Sequence, residues 1–315
     1  MNSNSKKIVL VGAGFVGMSF AYAALNQSLC DELVIIDIDE LRARGEAMDL
    51  NHGLAFARSN MRISAGDYND CADADIVVIC AGVAQKPDES RVDLLKRNAE
   101  VFKSIISPVV KSGFEGVFLV ATNPVDIMTR ITRELSGFPV HRVLGTGTTL
   151  DSARLRYLLG EYFNIDPKSV HAYVIGEHGD SEFVPWSQAM IGTKPVELIC
   201  SEYEQYNEAD LDSIADRVKN AAYEIIKAKK ATYYGIGMAT VRICRAILNS
   251  ENSILTVSAP PRGEYGIGDV YLGLPSIVGG NGLKSVIELP LTRSELGKLR
   301  SSAEYLDDIY SQMIK

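Results

Sequence analysis

The chain has 315 residues, 46% hydrophobic and 23% charged, which suits two associated subdomains rather than one small core. Its formal net charge of −8 argues against a nucleic-acid binder, so any anion must be held by local groups such as helix N-termini. Cys30, Cys71, Cys80, Cys200 and Cys244 are widely spaced without a CxxC pair; they give no metal-site spacing and predict reduced thiols. The polar start, Met1 to Lys7, carries no apolar signal core, and no apolar run reaches membrane length. The expectation is a cytoplasmic protein with no membrane contact.

In chain order, residues 7–12, 33–37, 75–80 and 117–121 are short runs rich in valine and isoleucine, each followed by an amphipathic stretch. That alternation predicts an α/β fold, a doubly wound parallel sheet covered by helices on both faces, with ligands at the carboxyl ends of the strands. The second half reads as mixed α+β. A helix is predicted over 149–163, strands over 170–175 and 253–258, and a helix over 211–226 that resumes after a break near Gly235. A charged final helix follows Pro290. The predicted division is a cofactor domain over 1–148 and a substrate domain over 149–315. The segment near 232–249 returns to the cofactor side, with a cleft between the halves.

The first strand runs into Gly12-Ala13-Gly14-Phe15-Val16-Gly17. A GxGxxG between a strand and a helix is the Rossmann-type dinucleotide fingerprint. Gly12 permits the tight turn, Gly14 lets the backbone approach a pyrophosphate, and Gly17 permits close helix packing, with Val16 in the same loop. The helix N-terminus offers N–H groups to the phosphates. Asp37, ending the second strand, suits the adenosine ribose hydroxyls; a 2′-phosphate would meet like charge, and Ile38 brings no cation. NAD is favoured over NADP.

Two polar motifs stand in the second half. In Leu150-Asp151-Ser152-Ala153-Arg154-Leu155-Arg156, Asp151 and Arg154 are three apart and share a helix face. Arg156 lies about 200° around the helix from Arg154, so the two arginines serve different surroundings. Gly176-Glu177-His178-Gly179-Asp180 displays an imidazole between glycines. His52 and His141 have no such company and read as surface or packing residues.

With GEAMDLNHG at 45–53, AGVAQKPDESR at 81–91 and ATNPVD at 121–126, these motifs make the chain resemble the L-lactate/malate dehydrogenase family over essentially its full length. Its allosteric bacterial, NAD-dependent L-lactate members are the nearest. The resemblance implies that His178 exchanges a proton with the 2-oxo acid, with Asp151 holding its second ring nitrogen and raising its pKa. It implies that Arg154 clamps the substrate carboxylate, Arg91 polarises the ketone, and Asn123 positions substrate and nicotinamide. Thr232 falls at a substrate-side position, and Ile236 at one that packs on the nicotinamide.

Residues 81–91 resemble the loop that closes over substrate, and Gln85 stands at the family's specificity position. Malate enzymes usually carry arginine there; neutral Gln85 suits the methyl of pyruvate and leaves a second carboxylate unpaired. The expected reaction is pyruvate to L-lactate. Malate, broader L-2-hydroxy acids and a non-catalytic NAD-binding role stand as alternatives. Arg156 and His171 match the positions that bind fructose 1,6-bisphosphate in the allosteric members, where the site lies between subunits of a homotetramer.

Overall fold

The computed structural model describes residues 5–58, 60–83 and 91–314, apart from the side chains of Arg91 and Ile314. The first half runs β1 (Lys7–Val11), α1 (Phe15–Asn26), β2 (Glu32–Ile36), α2 (Glu40–Gly53), β3 (Arg62–Ala65), β4 (Ile76–Ile79), α3 (Arg91–Lys111), β5 (Val117–Val120), α4 (Val125–Ser136) and β6 (Val143–Gly145). The second runs α5 (Thr149–Phe163), β7 (Val170–His171), β8 (Met190–Ile191), β9 (Lys194–Pro195), α6 (Val196–Glu202), α7 (Glu208–Lys229), α8 (Tyr234–Leu248), β10 (Ser253–Ala259), β11 (Leu272–Gly279), β12 (Gly282–Val286) and α9 (Arg293–Ile314).

β1, β4 and β5 are buried along their whole length, as expected of strands covered on both faces. The parallel order is β3-β2-β1-β4-β5-β6, the doubly wound Rossmann-type arrangement. Beyond β6 the same sheet continues with antiparallel β10, β11 and β12, joined where Ser258 faces Gly145. The chain order reverses at β1 and β4, so the crevice above their carboxyl ends is where this topology places a ligand.

Several elements differ from the sequence expectation. β3 and β6 carry weak signals: β3 alternates exposed Arg62 and Ser64 with Ile63 and Ala65 at the sheet edge, and β6 is three residues long. The strand expected over 170–175 is only Val170–His171, with an isolated bridge from Ile175 to Phe183. Between them, hydroxyls from the start of α5 take the place of ladder partners. Ser152 Oγ accepts from the Val174 N–H at 2.9 Å, and Thr148 Oγ1 donates to the Val174 carbonyl at 2.6 Å. The break before α8 falls at Lys230, which adopts a left-handed conformation (φ 72°), and Gly235 lies inside α8.

Two apolar cores result. One fills both faces of the large sheet and includes Phe114, Phe118 and Phe138, whose rings pack at centroid distances of 5.0 to 5.7 Å. The other joins α5 to α7 through Leu155, Leu159, Leu211, Ile214 and Val218. α8 lies along α1, and its start also meets α5. No helix among the described residues is long and apolar enough to cross a membrane. The five cysteines are free thiols, and all but the half-buried Cys80 are buried.

Ser152→Ala would leave the buried Val174 N–H without its acceptor. The expected loss is about 1–3 kcal/mol, seen as a lower thermal midpoint. An unchanged midpoint would show that another group satisfies this amide.

Candidate active site

At the end of β1 the chain turns on Gly12 (φ +105°), where a Cβ would lie 2.5 Å from the backbone nitrogen of Ala81 at the end of β4. A Cβ on Gly17 would lie 2.0 Å from the Gly12 carbonyl oxygen, so α1 can sit this close only with glycine there. Gly14 is different: nothing lies within 4 Å of its would-be Cβ, and as the residue capping α1 it offers no side-chain partner to the first-turn N–H groups. Open space at Gly14 beside uncapped amides, at the reversal point of the sheet, fits the pyrophosphate of NAD. Val16 stands in that first turn.

Asp37 follows β2, and one of its oxygens accepts the Ala13 N–H at 2.7 Å, the other the Asp39 N–H at 3.0 Å. The carboxylate therefore braces the glycine turn. Ile38 beside it is fully exposed and brings no cation.

The second motif is held from below. Gly176 and Gly273 of β11 exchange two backbone hydrogen bonds, of 3.0 and 2.7 Å. The Glu177 N–H donates to Ser302 Oγ of α9, and the Glu177 carboxylate accepts from Ser181. The His178 N–H donates to Asp126 Oδ2 at 2.8 Å, while Asp126 Oδ1 accepts from Ser258 at 2.6 Å. In the sequence Asp126 stands out only as the last residue of ATNPVD. Its acidic identity one residue into α4 gave no hint that it supports the histidine backbone from 52 residues away. Burial pushes this carboxyl up to about 6 against those two hydrogen bonds.

The imidazole then meets α5. His178 Nδ1 lies 2.6 Å from Asp151 Oδ2, and Asp151 Oδ1 accepts from Arg154 Nη1 at 2.8 Å. The Asp151 side chain is 2% exposed. Burial alone would raise its pKa, but the His178 ring and Arg154 outweigh that and hold the carboxylate below its usual range. For His178, burial opposes the charged ring. The charge and hydrogen bond of Asp151 overcome it and lift the imidazole to about 9. The arrangement can thus hold a protonated ring at neutral pH, with Nε2 the nitrogen not engaged by Asp151.

These groups line a cavity of about 290 Å³ shared by Asn123, Arg154, His178, Glu182, Lys219 and Tyr223. Arg154 engages one of its five N–H donors with Asp151, a tie that the helix spacing of the two residues allows. Glu182 was also missed. It follows the GEHGD motif by two residues, yet its carboxyl, Asp151 and His178 have polar atoms within 4.8 Å of one another.

The remaining sequence-predicted residues divide. Asn123 reaches the cavity from the end of β5. Thr232 lies in the link between α7 and α8 and Ile236 in the first turn of α8; neither lines that cavity. Gln85 and the Arg91 side chain lie outside the described residues, as does the loop over 84–90. Its entry is anchored by Asn98 accepting the Val83 N–H and by Thr122 donating to the Ala81 carbonyl. Arg156 points away from Arg154, its Nε donating to the Pro167 carbonyl at 3.2 Å, and His171 is exposed on β7. His52 is exposed and His141 half-buried.

Comparison with known proteins assigns both halves of the chain to one family. Residues 6–145 match the NAD-binding domain of lactate/malate dehydrogenases, and residues 148–315 match their alpha/beta C-terminal domain. A protein of Bacillus velezensis named L-lactate dehydrogenase is 54% identical over 309 residues, covering 98% of each chain. A lactate dehydrogenase enzyme from a Medee basin deep-sea metagenome library superposes with a TM-score of 0.97 at 51% identity, covering 99% of both chains. The minor L-lactate dehydrogenase of Enterococcus mundtii in its ligands-bound form gives 0.97 at 48% identity, covering 98% of this chain and 99% of its own. With both of its halves matched in order, the chain belongs to the lactate/malate dehydrogenase family.

Proposed function

We propose that this chain is an NAD-dependent L-lactate dehydrogenase that reduces pyruvate and runs the reverse oxidation. The observation that carries the reading is the buried Asp151 carboxylate, shared between the ring of His178 and the guanidinium of Arg154 beside one cavity. Bound NADH supplies the hydride for the carbonyl carbon. His178 gives a proton from Nε2 to the carbonyl oxygen and recovers it from the hydroxyl in the reverse direction. Asp151 orients the ring and balances its charge. Arg154 receives the carboxylate that both substrates carry, and Arg91 polarises the carbonyl. Asn123 positions substrate and nicotinamide. Thr232 limits the substrate side chain, and Ile236 packs on the nicotinamide. Gly12, Gly14, Val16, Gly17 and Asp37 hold the dinucleotide.

The names carried by the relatives support lactate over malate, and so does neutral Gln85. The direct test is loss of NADH absorbance with pyruvate against oxaloacetate; a higher kcat/KM for oxaloacetate would overturn the lactate assignment. The finer reading is a cytoplasmic homotetramer with a fructose 1,6-bisphosphate site at Arg156 and His171. The free thiols support a reducing compartment. Exposed Tyr22, Leu41, Met48 and Phe56, on or beside α1 and α2, support self-association. The exposed imidazole of His171 and the outward turn of Arg156 support an anion effector.

Three outcomes test these roles. Gln85→Arg shifts the ratio of kcat/KM towards oxaloacetate, and an unchanged ratio removes Gln85 as the selector. Asp151→Asn lowers kcat by about 10²–10⁴-fold. Because a protonated ring serves pyruvate reduction, the His178 contribution to kcat/KM is full at neutral pH and is lost as pH climbs through about 9. Without the Asp151 charge the loss moves to lower pH; an alkaline limb that stays in place would separate His178 from the titration. Fructose 1,6-bisphosphate lowers the apparent KM for pyruvate in the wild type and not in Arg156→Ala. An unaltered saturation curve counts against the effector site.

A further inference from the structure

Glu182 sits in the same cavity as His178 and Arg154, on the strand-like return of the histidine loop. Its backbone is fixed: its N–H donates to the Gly179 carbonyl at 3.2 Å, and the next residue, Phe183, bridges to Ile175. Its carboxyl accepts no hydrogen bond from any described residue. It shares a space of under 4.8 Å with the Asp151 carboxylate and the His178 ring.

The charged and titratable groups around it come from four elements. Its own loop brings His178, Asp180 and Glu177, the last engaged by Ser181. α5 brings Asp151 and Arg154, α4 brings Asp126, and α7 brings Lys219 and Tyr223. Arg154 is already committed in part to Asp151, so the cation nearest the incoming substrate is not free to neutralise a second resident carboxylate.

Resting on the proposed reduction of pyruvate, we infer that Glu182 is a second proton site coupled to substrate: its carboxyl must be neutral for Arg154 to receive the 2-oxo acid carboxylate. Of two resident carboxyls within 4.8 Å beside an incoming carboxylate, the half-buried one with no hydrogen-bond donor is the one that takes the proton. Burial, reinforced by the Asp151 charge, already raises Glu182 to about 8, against the opposing pull of His178, Arg154 and Lys219. Below that pH Asp151 is the one anion of the cluster formed by Asp151, His178 and Glu182. Above it, ionised Glu182 repels the substrate carboxylate, and binding draws a proton from solvent that returns when product leaves. Glu182 touches no reacting atom in this account; it is a positioning residue that acts through its charge on Arg154 and His178.

The consequence appears in KM rather than kcat, because the bound complex keeps both protons. In the wild type the KM for pyruvate rises about twentyfold between pH 7 and pH 9 along a two-proton limb. In Glu182→Gln the rise is about fivefold or less along a one-proton limb, and Glu182→Asp restores the second proton. A readout independent of turnover is calorimetry of oxamate, an unreactive pyruvate isostere, binding to the enzyme–NADH complex at pH 8.5 in buffers of different ionisation enthalpy. The wild type takes up about one proton, and Glu182→Gln about half of that or less. Equal uptake by both proteins, or a one-proton limb in the wild type, overturns the role of Glu182. Failure of the wild type to reduce pyruvate at any pH overturns instead the reading on which it rests.

Discussion

One buried carboxylate organises this site. Asp151 is almost wholly removed from water and spends its two oxygens on different partners, His178 Nδ1 and Arg154 Nη1. An isolated anion so buried would neutralise itself by taking up a proton. Here the cationic partners hold it ionised, and it in turn fixes a tautomer, a ring orientation and a guanidinium plane. In the proposed mechanism, proton transfer and carboxylate recognition thus depend on the same residue. The fold gives it that position by starting α5 directly after β6, with Asp151 in the first turn, where the helix dipole also favours a negative charge.

What supports the histidine is equally tied to the sheet. The antiparallel extension beyond β6 supplies two of the supports of the histidine loop: Gly273 of β11 pairs with Gly176, and Ser258 of β10 anchors Asp126. Asp126 then accepts the His178 backbone N–H. The three strands contributed by the second half therefore do more than cover an edge. They carry the position of β6 and α4 across to the imidazole, through groups that are buried and hydrogen-bonded at every step.

The parts legible in the sequence were those written locally. Continuous valine and isoleucine runs marked β1, β2, β4 and β5, and α5 shows the predicted bounds of 149 and 163. The glycine fingerprint could be read because each glycine answers a distinct steric demand, two of them crowded and one open. β3 and β6 were lost because one is a polar-alternating edge and the other is too short to show a period. The strand expected over 170–175 is shorter because Val174 has its N–H and carbonyl engaged by Ser152 and Thr148 of the α5 start rather than by a neighbouring strand. Asp126 and Glu182 were missed for a common reason: their partners are far away in sequence or on another element, and a lone acid has no local pattern.

The overall charge of −8 gives no guide to what this cavity binds, because its anion affinity is set within a few ångströms. Within the hydrogen-bonded trio, a ring lifted to about 9 and Arg154 supply two positive charges at neutral pH, against the one negative charge of Asp151. The surplus cation is what an incoming carboxylate neutralises, provided Glu182 stays protonated. A surface acidic enough for solubility and a pocket poised for one monoanion are thus compatible, since low-dielectric burial lets a few paired groups outweigh many screened ones. Among the described lining residues the permanently cationic side chains are Arg154, held in part by Asp151, and Lys219 of α7.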